Sequence, residues 1–554
     1  MDNIRLLLFF ALAFVLLALY QAWQEDYGQP ATPVAESVPV GDHDAAVSAL
    51  PEDMPAAQVA PETPAVPKTP AATASTDTAR YVHVTTDILD LKIDTHGGTV
   101  ASALLRDYPL RLDTPDEKLQ LFYPAPPRLF IAQSGLIGTR PESAPNHQAA
   151  FVAEAERYDM GDAENLTVTL SWSGEEGVIV NKHFQFTRGS YDLSVEHEVI
   201  NRGAGAWAGR EYRQLQRTEV DEPNQSAFMY TYMGGAIYTP ENKYEKISFD
   251  DMRDGNLSLD ATDGWLAMMQ HYFVSAWIPS AGQEEHFYSK VLPGSRFVLG
   301  AYSPVVSLES GESHTFSSRL FVGPKLEKHL EQVAQGLNLT RDYGWLAVLA
   351  QPMFWVLDQI HTLVGNWGWA IIIFTLLLKL VLYPLSAASY RSMAGMRKLG
   401  PRIQAMKDRY GDDKQRMQQA MMDMYRKEKI NPLGGCLPLL VQIPFFIALY
   451  WVLLESVELR QAPWILWIED LSVKDPYFVL PILMGVSMVA QQKLNPTPPD
   501  PMQAKIMMAM PLIFTVFFAF FPAGLVLYWF VNNLASITQQ WHITRQIEQA
   551  GSKG

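Results

Sequence analysis

The chain reads as a polytopic α-helical membrane protein of six spans joined to one large all-β sandwich on the outer side of the membrane. Three observations predict this. Apolar runs of roughly membrane-spanning length crowd residues 366–541, the segment before them is polar and acidic with period-2 alternation, and one short loop between runs is strongly basic. At 554 residues the chain exceeds one ordinary core. A single cysteine, Cys436, excludes a disulfide scaffold, a cysteine-based zinc site and an iron–sulfur protein. The net charge of −16 and a mean hydropathy near zero conceal two unlike halves.

The first run, Ile4 to Trp23, is broken only by Arg5 and Gln21 and would cover about 30 Å as a helix. A cleaved signal peptide competes with an uncleaved anchor over 1–23, but no clear A-x-A site precedes Glu25-Asp26. Residues 24–79, rich in Pro and Ala, cannot bury a core and predict an extended tether. From Tyr81 the pattern alternates, as in 166–172, 178–186 and 191–200, so 80–340 predicts an antiparallel sandwich. His183, His197 and His286 lie there without metal-ligand spacing, and no nucleophile elbow or phosphate loop accompanies them. That domain predicts a binding or spacer module rather than an enzyme.

Residues 341–365 carry Trp345, Leu346, Leu349, Met353, Phe354, Leu357 and Ile360 at helical spacing, which predicts an amphipathic helix lying in the interface. A linker helix packed on the β domain is the alternative. Further spans follow at 367–385, 433–454, 477–492, 504–521 and 524–541, the last two as a tight hairpin; 542–554 is a tail. The loop 387–432 holds 11 Lys/Arg against 5 Asp/Glu. Short basic loops stay cytoplasmic, so both termini lie inside and the sandwich lies outside.

Lys379 stands twelve residues from both Trp367 and Arg391, roughly 18 Å of helix from either. A lysine near mid-bilayer costs about 2.5–3.5 kcal/mol on insertion scales, and no Asp or Glu lies inside any span. The reading preferred is a hydrated groove lined by Lys379, Thr375, Gln442, Ser487, Gln491, Asn532 and Asn533. A lysine neutralised by burial and a transport or proton-relay lysine are its competitors. In the basic loop, Met393, Met396, Leu399, Ile403, Met406 and Tyr410 recur at helical steps. Asp412 and Gln415 are spaced as a capping box, and Met417, Met421 and Met424 mark a second helix. A methionine face suits variable apolar segments, although simple packing of the two helices accounts for it equally. The basic face, with Arg397, Lys398 and Arg402, suits phosphate of lipid or RNA.

Longer motifs then carry a resemblance. The segment 431–450 (NPLGGCLPLLVQIPFFIALY), with 456–463 (SVELRQAP), 475–485 (DPYFVLPILMG) and 521–528 (FPAGLVLY), resembles the YidC/Oxa/Alb insertases in order and spacing. The anchor, the tether and the β domain with THGGTV at 95–100 resemble the Gram-negative form, whose outer domain is a periplasmic β-supersandwich of the sugar-mutarotase type. The resemblance implies insertion and folding of nascent inner-membrane proteins, alone or with the Sec translocon and the translating ribosome, without nucleotide or small-molecule cofactor. It implies a five-span core around a hydrophilic groove open to cytoplasm and lipid. The family's usual arginine is matched by Lys379, which keeps the charge and loses the bidentate fork. The family's paired tyrosines are matched by Tyr528 and Trp529. A channel or small-solute transporter is the alternative function, and a carboxylate partner for Lys379 would favour it.

Overall fold

The structure, a computed structural model, describes residues 54, 80–220, 231–411, 413–428, 437–495 and 501–551. The expected anchor at 4–23 and all of the tether except Met54 lie outside the described residues, as do the side chains of Arg397 and Lys398. The chain divides into two compact units, one β and one helical.

Among the described residues the β unit, which spans 45–342 with 455–457, holds two antiparallel-rich sheets of eleven and nine strands. Alternation of buried and half-buried residues along Val178–Thr187 and Asp192–Asn201 shows why these segments are strands: each puts one apolar face on the core. Those two strands pair in register from Leu193↔Phe186 to Asn201↔Val178. Two short helices, α1 (Phe249–Asp254) and α2 (Glu327–Val333), decorate the unit. The THGGTV turn joins Leu89–Asp94 to Thr99–Pro109, and its Gly97 and Gly98 have φ of 72° and 58°. A Cβ on Gly97 would stand 2.2 Å from the His147 carbonyl oxygen, so close approach as well as the turn selects glycine.

One tether residue departs from expectation. Met54 is only 3% exposed, packed with Ile137, Tyr212 and Tyr302 of the eleven-stranded sheet.

The helical unit begins with α3 (Ala347–Val364), which buries Ala350, Met353, Phe354, Leu357 and Ile360 and exposes Val348 and Trp355. It packs on α4 (Trp367–Val381), capped by the Asn366 side chain accepting from the Trp369 amide at 3.2 Å. The expected straight span from Trp367 to Leu385 does not form. After α4 the axis turns by 66° into α5 (Tyr383–Lys398). Pro384 has no amide hydrogen to continue the ladder, which accounts for the break beside it. Lys379 therefore sits in the last turn before a bend, and helix length no longer measures its distance from Arg391.

The expected first hairpin helix is also divided, into α5 and α6 (Gly400–Tyr410), with α7 (Lys414–Lys427) following. Gly400 and Pro401 fall at the break. The cap of α7 is Asp413, accepting from the Arg416 amide at 3.1 Å, and not Asp412, which lies outside the described residues. Then come α8 (Leu437–Glu455), α9 (Val479–Leu494), α10 (Pro501–Phe518) and α11 (Ala523–Gly551). The expected tight hairpin of the last two is corrected: α10 and α11 each pack along α9 and touch each other chiefly near their turn, as at Phe518–Trp529 (5.4 Å). Among the described residues no single helix is long and apolar enough to cross a membrane; the bent α4–α5 pair passes that test together.

Candidate functional site

The helical unit buries polar side chains beside an apolar core and leaves many aliphatics exposed. Leu376, Leu380 and Val381 of α4, Ile482 and Val486 of α9, and Met508, Leu512 and Val516 of α10 are exposed, whereas Lys379 is 6% exposed and Asn532 8%. Exposed aliphatics in this number mark a surface that meets lipid or protein.

Inside, Lys379 Nζ donates to Ser536 Oγ at 2.7 Å and approaches Gln442 Oε1 at 3.5 Å. Gln442 in turn donates through Nε2 to Asn532 Oδ1, and Ser536 Oγ donates to the Asn532 carbonyl at 2.8 Å. Gln539 Nε2 reaches the Lys379 carbonyl at 3.4 Å, near the end of α4 where carbonyls lack helical partners. The Tyr528 hydroxyl faces Gln442. Helices α4, α8 and α11 thus converge on one ammonium. Tyr528, Asn532, Ser536 and Gln539 line one face of α11 because they recur at four- and three-residue steps. No carboxylate pairs with Lys379 among the described residues; its partners are neutral. A hydroxyl and an amide oxygen hold it.

Not every expected residue joins this cluster. Thr375 is buried one turn before Lys379, but its hydroxyl donates to the Ile371 carbonyl at 2.6 Å in its own helix. Ser487 belongs to a second contact, accepting from Asn533 Nδ2 at 3.1 Å across α9 and α11. Adjacent asparagines on a helix point about 100° apart, so Asn532 and Asn533 serve different neighbours. Gln491 is half-buried on α9, one turn beyond Ser487. Trp529 packs edge-on against Phe446 at 4.6 Å, and Tyr528 stacks on the same ring at 6.4 Å. The pair forms an aromatic wall, although the two side chains leave the helix on different sides. Sequence reasoning missed Ser536 and Gln539. The signal was available, since both follow Asn532 at helical spacing.

In the hairpin, Met393, Met396, Met406, Met417, Met421 and Met424 are all half-buried. None enters a hydrophobic core cluster. Arg402 is exposed and pairs with Glu428 at 2.6 Å, tying α6 to the end of α7.

The β unit holds its own buried charges, and these tie the sheets together. Lys182, fully buried on the nine-stranded sheet, donates to the carbonyls of Gly97 at 2.8 Å and Ser134 at 3.0 Å. Burial pushes its ammonium down to about 7. His197 lies 3.0 Å from Glu211, and Arg213 bridges Glu211 (2.7 Å) and Glu285 (3.1 Å). Burial lowers His197. Burial alone would raise Glu211, but Arg213 and His197 hold it below its usual range. His183 pairs instead with Glu198 and His286 with Asp260, so the three histidines do not gather into one site.

Comparison with known proteins decides which family carries this arrangement. A family model described as YidC periplasmic domain matches residues 81–356, and one described as 60Kd inner membrane protein matches 359–550. The membrane protein insertase YidC of Thioalkalivibrio sulfidiphilus is 52% identical over 565 aligned residues, covering 100% of both chains. The chain belongs to the YidC insertase family. The YidC of Methylococcus capsulatus is 50% identical, covering 99% of each chain. An active YidC insertase crystal structure with its first transmembrane domain resolved aligns at 19% identity and a TM-score of 0.38, covering 84% of this chain and 92% of that one. A galactose mutarotase related enzyme from Lactobacillus acidophilus aligns at 10% identity and a TM-score of 0.30, covering 44% and 97%. YidC relatives are named insertases, and the family is one of inner membrane proteins with a periplasmic domain.

Proposed function

We propose that this YidC insertase moves the polar flank of a nascent membrane protein through a groove centred on Lys379, while the apolar stretch leaves sideways into lipid. The observation that carries this reading is a polar cluster buried beside the apolar core of the helical unit, under a surface of exposed aliphatics. One cation and a chain of amides and hydroxyls are buried, while Leu376, Leu380 and Leu512 are exposed. Such a cluster lowers the cost of holding a polar segment partway across, because each of its groups can exchange a partner with the incoming chain. Thr375, Ser487, Gln491, Asn532 and the Tyr528–Trp529 wall line the remainder of the path. Neutral partners leave the lysine's charge uncompensated, so the groove favours acidic flanks. Burial of about 20 apolar residues in lipid supplies the driving force, and nucleotide hydrolysis is not needed.

In this proposal the chain has six spans, both termini in the cytoplasm and a periplasmic supersandwich. Helix α3 lies in the outer interface with Val348 and Trp355 toward lipid. The half-buried methionines of α5–α7 receive the client first, and the basic face meets the translating ribosome or anionic lipid. Clients arrive alone or from the Sec translocon. A photocrosslinker placed at Thr375, Gln442 or Trp529 tests the path with a stalled nascent chain in native membranes. Crosslinks from all three positions support it. Crosslinks confined to the lipid-exposed positions Leu380 and Leu512 would place the client outside the groove.

A further inference from the structure

The outer face of the eleven-stranded sheet, opposite the side that holds the His197–Glu211 tie, carries a cup. Strands Phe130–Gly138, Trp207–Thr218 and Arg296–Tyr302 are neighbours, with Gly135↔Tyr212 and Tyr212↔Tyr302 in register. Paired residues share a face, so Ile137, Tyr212 and Tyr302 point the same way. Two glycines make room there. A Cβ at Gly300 would stand 2.5 Å from the Tyr288 ring, and one at Gly135 would stand 3.0 Å from the Tyr212 hydroxyl. The walls are stiffened: His147 Nδ1 lies 2.5 Å from the Tyr212 hydroxyl, and Tyr302 stacks on His286 at 4.7 Å.

Into this cup goes Met54, 3% exposed, with its carbonyl facing Lys290 Nζ at 3.5 Å. The fit has chemical reasons. An unbranched thioether adapts to an irregular aromatic cup and gains sulfur–ring contacts. Pro55 biases Met54 toward an extended backbone, and the cup itself carries two cations, Lys290 at the Met54 carbonyl and Arg210 over the Tyr302 ring.

We propose that the Ile137–Tyr212–Tyr302 cup is a docking site for the chain's own tether, with Met54 as the residue that seats it. With Met54 seated, the stretch of sequence between the N-terminal apolar run and its first contact with the β unit ends at residue 53 instead of residue 79. Each residue of that difference is worth at most about 3.3–3.6 Å of reach. The cup thus sets how much sequence separates the N-terminal apolar run from its first hold on the β unit.

Peroxide footprinting of the full-length protein, read by mass spectrometry, tests this. A synthetic peptide of residues 45–63 is the free standard, and Met160 and Met252, 3% and 1% exposed, are the buried standards. Docking predicts that Met54 oxidises at least about tenfold more slowly than in the peptide. Equal rates would overturn the proposal. Ile137→Asp should restore the peptide's rate at Met54 while Met160 stays protected; continued protection of Met54 would place its pocket elsewhere. If Ile137→Asp also exposes Met160, Tyr302→Ala applies the same criterion at the cup's rim.

Discussion

Ser536 Oγ lies 2.7 Å from Lys379 Nζ and hands its own hydrogen to the Asn532 carbonyl, so one hydroxyl anchors the buried ammonium to α11. This contact crosses from the last turn of α4, just before the 66° bend, to a different helix. Ser536→Ala removes an acceptor from a charged donor, a loss of about 1.5–3 kcal/mol if nothing replaces it. Insertion of a short acidic-flanked client is expected to fall roughly tenfold, and Ser536→Thr is expected to restore it. Initial insertion rates into vesicles containing each variant check this.

Helices α9 and α10 meet through Gly485, where a Cβ would stand 2.0 Å from Thr515 Oγ1. Gly485→Ala therefore forces the helices apart, and overpacking of this kind costs about 1–3 kcal/mol. Thermal unfolding in detergent should show a lowered midpoint. Thr515→Ala, which deletes the colliding oxygen, should recover most of the loss in the double variant.

The cap on α7 is a local test of the hairpin. Asp413→Ala leaves the Arg416 amide without its acceptor and should cost about 1 kcal/mol of that helix. Hydrogen exchange over 414–418 is expected to accelerate severalfold, with exchange in α9 unchanged.

Lys182 makes the β unit sensitive to pH. Its folded value is depressed from 10.5 to about 7, so between these pH values the unfolded chain holds a proton that the folded domain has released. Stability should rise as pH increases across that window. Below about pH 7 the cost of burying the ammonium is felt in full, and protonation of His197, also lowered by burial, adds to the loss on acidification. Lys182→Met should flatten the rise between pH 7 and 10 in denaturant unfolding followed by tryptophan fluorescence. A slope equal to that of the unsubstituted protein would contradict the assignment.

What the sequence made legible was polarity out of place. Lys379, Gln442 and Asn532 stood out because amides and an ammonium inside apolar runs are costly, and the structure joins all three. Thr375 stood out for the same reason, yet a threonine can satisfy itself on its own helix and does so. Ser487 was grouped with Lys379, although polarity carries no information about helix rotation, and its neighbour is Asn533. The bend after Val381 was legible only as Pro384, because a proline permits either a kinked span or a break. Alternation located the strands, but eleven- and nine-stranded ordering depends on long-range pairing that no local pattern encodes. Tether composition likewise concealed Met54, a lone methionine among prolines, alanines and acidic residues, which the structure buries.

The most direct measurement is a charge exchange at Lys379. Lys379→Ala and Lys379→Glu are assayed for insertion of two clients identical except for an acidic or a basic translocated flank. The account predicts that Lys379→Glu lowers insertion of the acidic-flanked client at least about tenfold below the unsubstituted protein, and that the basic-flanked client then inserts better than the acidic one. Equal loss of both clients in Lys379→Glu and Lys379→Ala would contradict it, because a lysine that merely holds the helices together does not read the sign of the passing charge.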